Sequence, residues 1–165
     1  MPKTEHASTG YTGLDVILDD LRIGDNVVLK VDSVEDYSYF VGPFVDQALA
    51  SGKKVVYMRF GEHPPLIDPS PHITTYEFNP KLGFESFASQ IHKVIAKEGQ
   101  GVFYVFDCLS DLLSAWATDH MIGNFFNVTC PFLFELDTVA YFSLIRGYHA
   151  VRTLERIRET TQILS

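Results

Sequence analysis

Val27-Val28-Leu29-Lys30-Val31-Asp32-Ser33-Val34-Glu35-Asp36-Tyr37-Ser38-Tyr39-Phe40 reads as a buried strand, a short loop and the start of a helix. The unbroken apolar run at residues 26–31 suits a parallel strand covered on both faces. From residue 35 to 50, Phe40, Phe44, Val45 and Leu49 recur near helical spacing, and Ser51-Gly52 ends the helix. A strand passing through a tight loop into a helix is a setting for phosphate binding. That chemistry needs glycines, which let successive backbone N–H groups turn toward the anion, and a lysine for charge. Neither is here. No glycine lies between Gly24 and Gly42, no lysine lies between Lys30 and Lys53, and Asp32, Glu35 and Asp36 occupy the loop.

Val31 and Val34 are β-branched and resist left-handed backbone; Asp36 adopts it more readily. A phosphate at ~4 Å from a carboxylate is repelled by about 1 kcal/mol in water and about 4 at an effective dielectric near 20. Two or three such contacts, with the lysine missing, outweigh an ordinary nucleotide affinity of about 4 to 8 kcal/mol. Ser33 precedes Asp36 at the spacing of a capping box. Ser33 is therefore expected to cap the helix, with Glu35 and Asp36 complementing its dipole in place of a bound anion.

Outward from this stretch, residues 1–9 are polar and expected to fray. Thr12 is expected to cap a short helix over residues 13–20, with Leu14, Ile17, Leu18 and Leu21 on one face. Strands are expected at 54–60, 73–78, 102–106, 138–145 and 161–164. Between 61 and 71 lie four prolines and a loop. Helices are expected at 84–97, from Ser110 through Phe126, from Pro131 to about Asp137, and at 150–158. Strongly apolar strands alternating with helices imply a three-layer α/β/α domain with a mostly parallel sheet. The 165 residues make one domain, from residue 10 onward. The chain stops inside the apolar run Ile163-Leu164-Ser165, so a longer parent polypeptide is expected.

A composition 46% hydrophobic and 21% charged supports a packed core and excludes disorder. A net charge of −8 disfavours nucleic acid and anionic membranes as partners. No apolar run is long enough to span a bilayer, and the start lacks the apolar stretch of a secretory signal. Cys108 and Cys130 lack a Cys or His at metal spacing and are expected to be buried free thiols of a cytoplasmic protein. The histidines show no HxH or HExxH spacing, so no zinc site is expected.

Ser8-Thr9-Gly10-Tyr11-Thr12-Gly13-Leu14-Asp15 resembles the STGxxGLD entry of RecA-like ATPases of the KaiC type. Leu21-Arg22-Ile23-Gly24-Asp25-Asn26-Val27 follows at the distance of that family's turn into its Walker A strand. Gly52-Lys53-Lys54-Val55-Val56-Tyr57-Met58-Arg59-Phe60 is similar to its second strand. Gly61-Glu62 stands where the family has an acidic pair, of which only the second member is present. Residues 102–107, followed by Leu109-Ser110, resemble a Walker B strand with Asp107 as its aspartate. Against Walker A, Val31 and Asp36 take the places of two glycines, Tyr37 that of the lysine and Ser38 that of the magnesium-holding hydroxyl.

A narrower resemblance covers residues 25–49, 103–116, 123–147 and 155–162. These runs look like the amino-terminal region of a subset of phosphoenolpyruvate synthase (pyruvate, water dikinase)-like proteins, where a KaiC-like domain precedes dikinase-type domains. The resemblance implies a RecA-like P-loop NTPase fold that has become a pseudo-ATPase. Such a domain would need no cofactor. It would dock or regulate other domains of the same polypeptide, or protein subunits including copies of itself. Two alternatives stay open. One is weak ATP–magnesium binding and hydrolysis through Ser38, Asp107 and Glu62. The other is a metabolite sensor whose old cleft takes a cationic or neutral ligand.

The candidate site is therefore the loop Asp32, Ser33, Val34, Glu35, Asp36, Tyr37 and Ser38, with Arg59, Glu62, Asp107 and Arg146. Asp107 either holds magnesium or caps the turn after it. Glu62 either activates water or is a plain loop residue. Arg59 and Arg146 either pair with Asp32 or Asp36 or meet an anionic ligand. Four phenylalanines in residues 125–134 belong to the core or to an interface. Asp119 and His120 sit at an expected helix break. Arg152, Arg156 and Arg158, interleaved with Glu155 and Glu159, form a solvated helix face.

Overall fold

Residues 6–115 and 118–164 are described by the computed structural model. In chain order the elements are β1 (His6–Ala7), α1 (Thr12–Ile17), β2 (Leu21–Arg22), β3 (Asn26–Val31), α2 (Val34–Ala50), β4 (Val55–Arg59), β5 (Ile73–Glu77), α3 (Phe84–Glu98), β6 (Phe103–Phe106), α4 (Asp119–Glu135), β7 (Val139–Ile145), α5 (Val151–Arg158) and β8 (Gln162–Leu164). Short 3-10 turns occupy Pro80–Leu82 and Leu109–Ser114.

The apolar strands pair as their sequences predict. β3 to β8 form a six-stranded sheet in the order β5-β4-β6-β7-β3-β8, every neighbouring pair parallel. Alternation along each strand supplies both faces. On one, Val41, Phe44, Val45 and Ala48 of α2 pack over Val27, Leu29, Val55, Tyr57 and Tyr141. Phe44 stacks on Tyr141 with ring centroids 3.8 Å apart. On the other, Ile91 of α3, Phe125 and Leu133 of α4 and Ile157 of α5 cover Val28, Met58, Tyr104, Phe106 and Phe142. Each such side chain, buried, contributes about 1.5–3 kcal/mol. The result is a three-layer α/β/α arrangement in which all the sheet's C-terminal strand ends share one edge.

Four expectations need correction. First, the expected fraying does not extend over residues 6–9, whereas residues 1–5 lie outside the described set. β1 pairs antiparallel with β2, and Thr9 is fully buried. The Asp15 carboxylate accepts from Thr9 N at 2.8 Å, Thr9 Oγ1 at 2.7 Å and Ser8 Oγ at 2.6 Å. Gly10 has φ +86°, and a Cβ there would stand 2.5 Å from the Pro43 carbonyl oxygen. Only glycine allows this close approach to α2.

Second, α1 is shorter than expected. Tyr11, not Thr12, stands at its N-cap, with no side-chain cap bond. Asp19 and Asp20 take positive φ and end the segment, so Ile17 is exposed while Leu21 is buried in β2. Third, the helical region expected from Ser110 through Phe126 comes in two parts, a 3-10 turn at Leu109–Ser114 and α4 from Asp119, and residues 116 and 117 lie outside the described set. Fourth, Pro131 does not open a new helix. It lies inside the continuous α4, whose N-terminus is capped by Thr118 Oγ1 accepting from Met121 N at 3.2 Å. Pro131 is on the exposed side, so α4 gives up one backbone bond there while Thr129, Cys130 and Leu133 stay buried.

The four phenylalanines divide between roles: Phe125 and Phe126 are core, Phe132 is half-buried and Phe134 is exposed. Among the described residues no helix is long and apolar enough to cross a membrane.

Candidate functional site

Parallel α/β sheets bind ligands beyond the carboxyl ends of their strands. Here that edge carries the acidic loop after β3, Asp107 after β6, Arg59 at the end of β4 and Arg146 after β7.

Ser33 lies in extended backbone (φ −150°, ψ 162°), and its Oγ accepts from Asp36 N at 3.2 Å. The expected helix cap is therefore formed. Glu35 and Asp36 fill the first turn of α2, where negative charge is favoured. Asp32 is exposed, and its Oδ1 lies 3.2 Å from Arg146 Nη1. Arg146 thus makes the expected ion pair. Ser38 Oγ donates to the Glu35 carbonyl at 2.5 Å, a bond within its own helix. Tyr37 departs from its expected place in the loop. It is a fully buried core residue, and its hydroxyl donates to the Phe106 carbonyl at 2.9 Å. Burial, reinforced by Asp107, pushes that hydroxyl's pKa well up. The position that would carry a phosphate-binding cation is directed into the protein.

Asp107 is also fully buried. One carboxylate oxygen accepts from Phe60 N and Gly61 N, both at 2.8 Å, and the other accepts from the Tyr57 hydroxyl. Asp107 therefore caps the end of β4, not the turn that follows it. Its acceptors are engaged by protein donors, and a metal would have to displace them. Among the described residues no group of three or more His, Cys, Asp or Glu is arranged to hold a metal ion.

Arg59 does not reach Asp32 or Asp36. It donates to the His63 carbonyl at 2.9 Å and has Glu77 at 4.0 Å. Glu62 is a surface residue with its side chain 90% exposed, 3.8 Å from Lys81. His63 Nδ1 faces the Pro64 carbonyl at 2.7 Å, so Nδ1 carries a proton. Its Nε2 stands 3.6 Å from Asp107 and 3.5 Å from Asp111. Burial pushes the Asp111 carboxyl up, with His63 opposing. A Cβ on Gly61 would meet His63 Nε2 at 2.5 Å, so glycine lets the imidazole close over this turn. Val34, Arg59, His63, Glu77, Lys81 and Asp111 line a neighbouring cleft of about 820 Å³.

A second constellation on this edge escaped sequence reasoning. Ser110 Oγ lies 2.6 Å from His149 Nε2, and His149 Nδ1 lies 2.6 Å from Asp119 Oδ1. Asp119 Oδ2 in turn accepts from Ala150 N at 2.9 Å and Thr153 Oγ1 at 2.6 Å. The order is that of a hydrolytic triad, yet the setting is not. The His149 side chain is 2% exposed, and Ser110 Oγ also accepts from Ile145 N at 2.9 Å. With one donor and one acceptor partner the hydroxyl is fixed, and Ser110 lines neither the 820 Å³ cleft nor the 410 Å³ cleft beside the acidic loop. The relay is a clamp joining the turn after β6, the loop after β7 and the start of α4. Burial raises the Asp119 carboxyl, but donation from Thr153, Ala150 and His149 outweighs it and leaves the pKa below the ordinary value. Asp119 had drawn notice only for its place at a helix break; no local spacing links it to Ser110 or His149.

Cys108 and Cys130 are both free and buried, and burial pushes the Cys130 thiol up to about 12. Both are inert in this state. Comparison of the sequence with protein-family models and with curated proteins finds no match.

Proposed function

We propose that this chain is a pseudo-ATPase domain of KaiC-like, RecA-type ancestry. It serves as a docking or regulatory module of other domains or subunits, in the setting of a phosphoenolpyruvate synthase-like enzyme. The observation that carries this reading is Tyr37. Where the lysine of a phosphate loop would stand, a tyrosine is buried in the core and hydrogen-bonded to the β6 backbone. The helix start that would face phosphate is capped by Ser33 and surrounded by carboxylates. The parallel sheet with helices on both faces is compatible with that ancestry.

Two of the ATPase alternative's three residues are engaged elsewhere, and the third, Glu62, is exposed in the lining of the 820 Å³ cleft. Ser38 bonds within α2, Asp107 caps β4 and Glu62 lies on the surface. The sensor alternative retains one observation, the 820 Å³ cleft beside Arg59 and Lys81, and a thermal-shift screen of metabolites addresses it. Titration with ATP–magnesium by calorimetry tests the main reading. No heat of binding is expected. Affinity tighter than roughly 0.1 mM, about −5.5 kcal/mol, would sink it.

A further inference from the structure

α1 buries none of its residues, although it carries Leu14, Val16 and Ile17. Val16 is 74% exposed and Ile17 is 76% exposed, and on α2 Tyr39 is 69% exposed. The two helices are tied together here. The Tyr11 hydroxyl donates to the Tyr39 carbonyl at 2.9 Å, and the Tyr11 ring stands edge-on to Phe40 at 6.2 Å. Between them a cleft of about 410 Å³ is lined by Leu14, Leu29, Tyr39 and Phe40, with Lys30, Asp32, Asp36 and Arg146 at its polar side. Single exposed apolar residues are ordinary. Here Leu14 and the exposed Tyr39 line an apolar cleft, and Val16 and Ile17 follow Leu14 on the same short helix, so exposed apolar side chains gather beside a cleft, as at a binding surface.

The surrounding charge selects the partner. Asp32 and Asp36 line the cleft together with Lys30 and Arg146, and Glu35 and Asp36 stand one helical turn before Tyr39 and Phe40 on α2. Arg146 is engaged by Asp32, while Glu35 and Asp36 have no ion pair among the described residues. With Arg146 taken up by Asp32, the carboxylates Glu35 and Asp36 outnumber the one remaining cation at the cleft, Lys30. A second copy docking symmetrically would set these carboxylates against themselves. Anionic lipid and nucleic acid are repelled by the same field.

We infer that the α1–α2 face docks an amphipathic basic segment of a partner protein. Its apolar side chains would enter the cleft beside Tyr39 and Phe40, and its lysines or arginines would meet Asp32, Glu35 and Asp36. This rests on the docking reading above and names the surface and the partner's chemistry.

The test is fluorescence anisotropy with a short labelled amphipathic lysine–leucine peptide, and a glutamate–leucine peptide of the same pattern as control. The lysine peptide is expected to bind, more weakly as salt rises, and the glutamate peptide to stay free. Ile17→Ser combined with Tyr39→Ser is expected to weaken binding about tenfold or more. Val128→Ser, at an exposed apolar position on α4 across the sheet, is expected to leave it unchanged. Both variants alter exposed side chains, and unchanged thermal unfolding certifies their fold. No binding of the lysine peptide, equal binding by the double variant, or binding of the glutamate peptide would overturn the inference. So would self-association in sedimentation that the double variant abolishes, because the occupant would then be a second copy. ATP calorimetry on the same protein keeps the two readings apart. A domain that binds both ATP and the peptide retains this surface and loses its pseudo-ATPase assignment.

Discussion

The acidic loop after β3 and the aspartate after β6 sit on one edge of one sheet, yet their carboxylates are held in opposite ways. Asp32 is open to water and meets Arg146 at the surface. Asp107 is buried and held by two backbone amides and the Tyr57 hydroxyl. An exposed carboxylate acts mainly through its field, and water screens most of it. A buried one acts through hydrogen bonds whose loss leaves donors without partners. The loop can therefore change its charge with little effect on the fold, whereas Asp107 fixes the end of β4.

The sharpest way to break this comparison is to put a cation at position 37. Tyr37→Lys would place an ammonium in the core beneath α2, lose the bond to Phe106 and leave a cavity. The expected cost is on the order of 5 kcal/mol or more, with no gain of ATP affinity, read by urea unfolding and calorimetry. A stable, ATP-binding variant would show that position 37 faces solvent and not the core. Asp107→Ala comes next. It orphans Phe60 N, Gly61 N and the Tyr57 hydroxyl, and should cost about 3–5 kcal/mol. A loss below about 1 kcal/mol would mean that water replaces the carboxylate and that the contrast with Asp32 is false.

Ser33→Ala tests the helix start. Loss of the cap to Asp36 N should cost about 1 kcal/mol. If Glu35 and Asp36 alone stabilise α2, the change in the urea midpoint would instead be negligible. Asp32→Asn removes only a solvated ion pair with Arg146 and should fall within about 0.5 kcal/mol of the parent.

What was legible in the sequence follows the same division between local and distant causes. β3, β4, β6 and β7 announced themselves because an unbroken apolar run needs no partner to be recognised. The Ser33 cap was legible because its donor is three residues away. The Ser8-Thr9-Gly10 motif gave a resemblance, but the reason for its glycine, contact with Pro43, lies on another helix. Tyr37 could be aligned to a loop position, but its inward direction depends on where α2 packs. The Asp107 cap reaches back 47 residues to Phe60, and the Ser110 relay gathers His149 from 39 residues away. No period or spacing encodes such meetings. Pro131 misled for the converse reason: its local rule is to break a helix, and tertiary packing of α4 overrides it.

The relay and the His63 cluster extend the comparison to pH, with the smallest expected effect. Each pairs a histidine with an aspartate, but Asp119 has its pKa lowered while Asp111 has its pKa raised. A carboxyl lowered in the folded state stabilises above its unfolded pKa, and that contribution is lost as pH falls through the folded value. A carboxyl raised in the folded state does the opposite: its contribution is present below the unfolded pKa and is lost as pH rises through the folded value. Asp119→Asn should therefore lower stability at neutral pH and flatten the acid limb of the profile. Asp111→Asn should instead raise stability at neutral pH, because a half-buried carboxylate in the field of Asp107 no longer has to ionise. Thermal unfolding of the two variants between acid and neutral pH should give curves that diverge from the parent in opposite directions. If both variants shift the same way, the two histidine–aspartate pairs share one electrostatic setting, and the clamp around His149 owes its stability to packing.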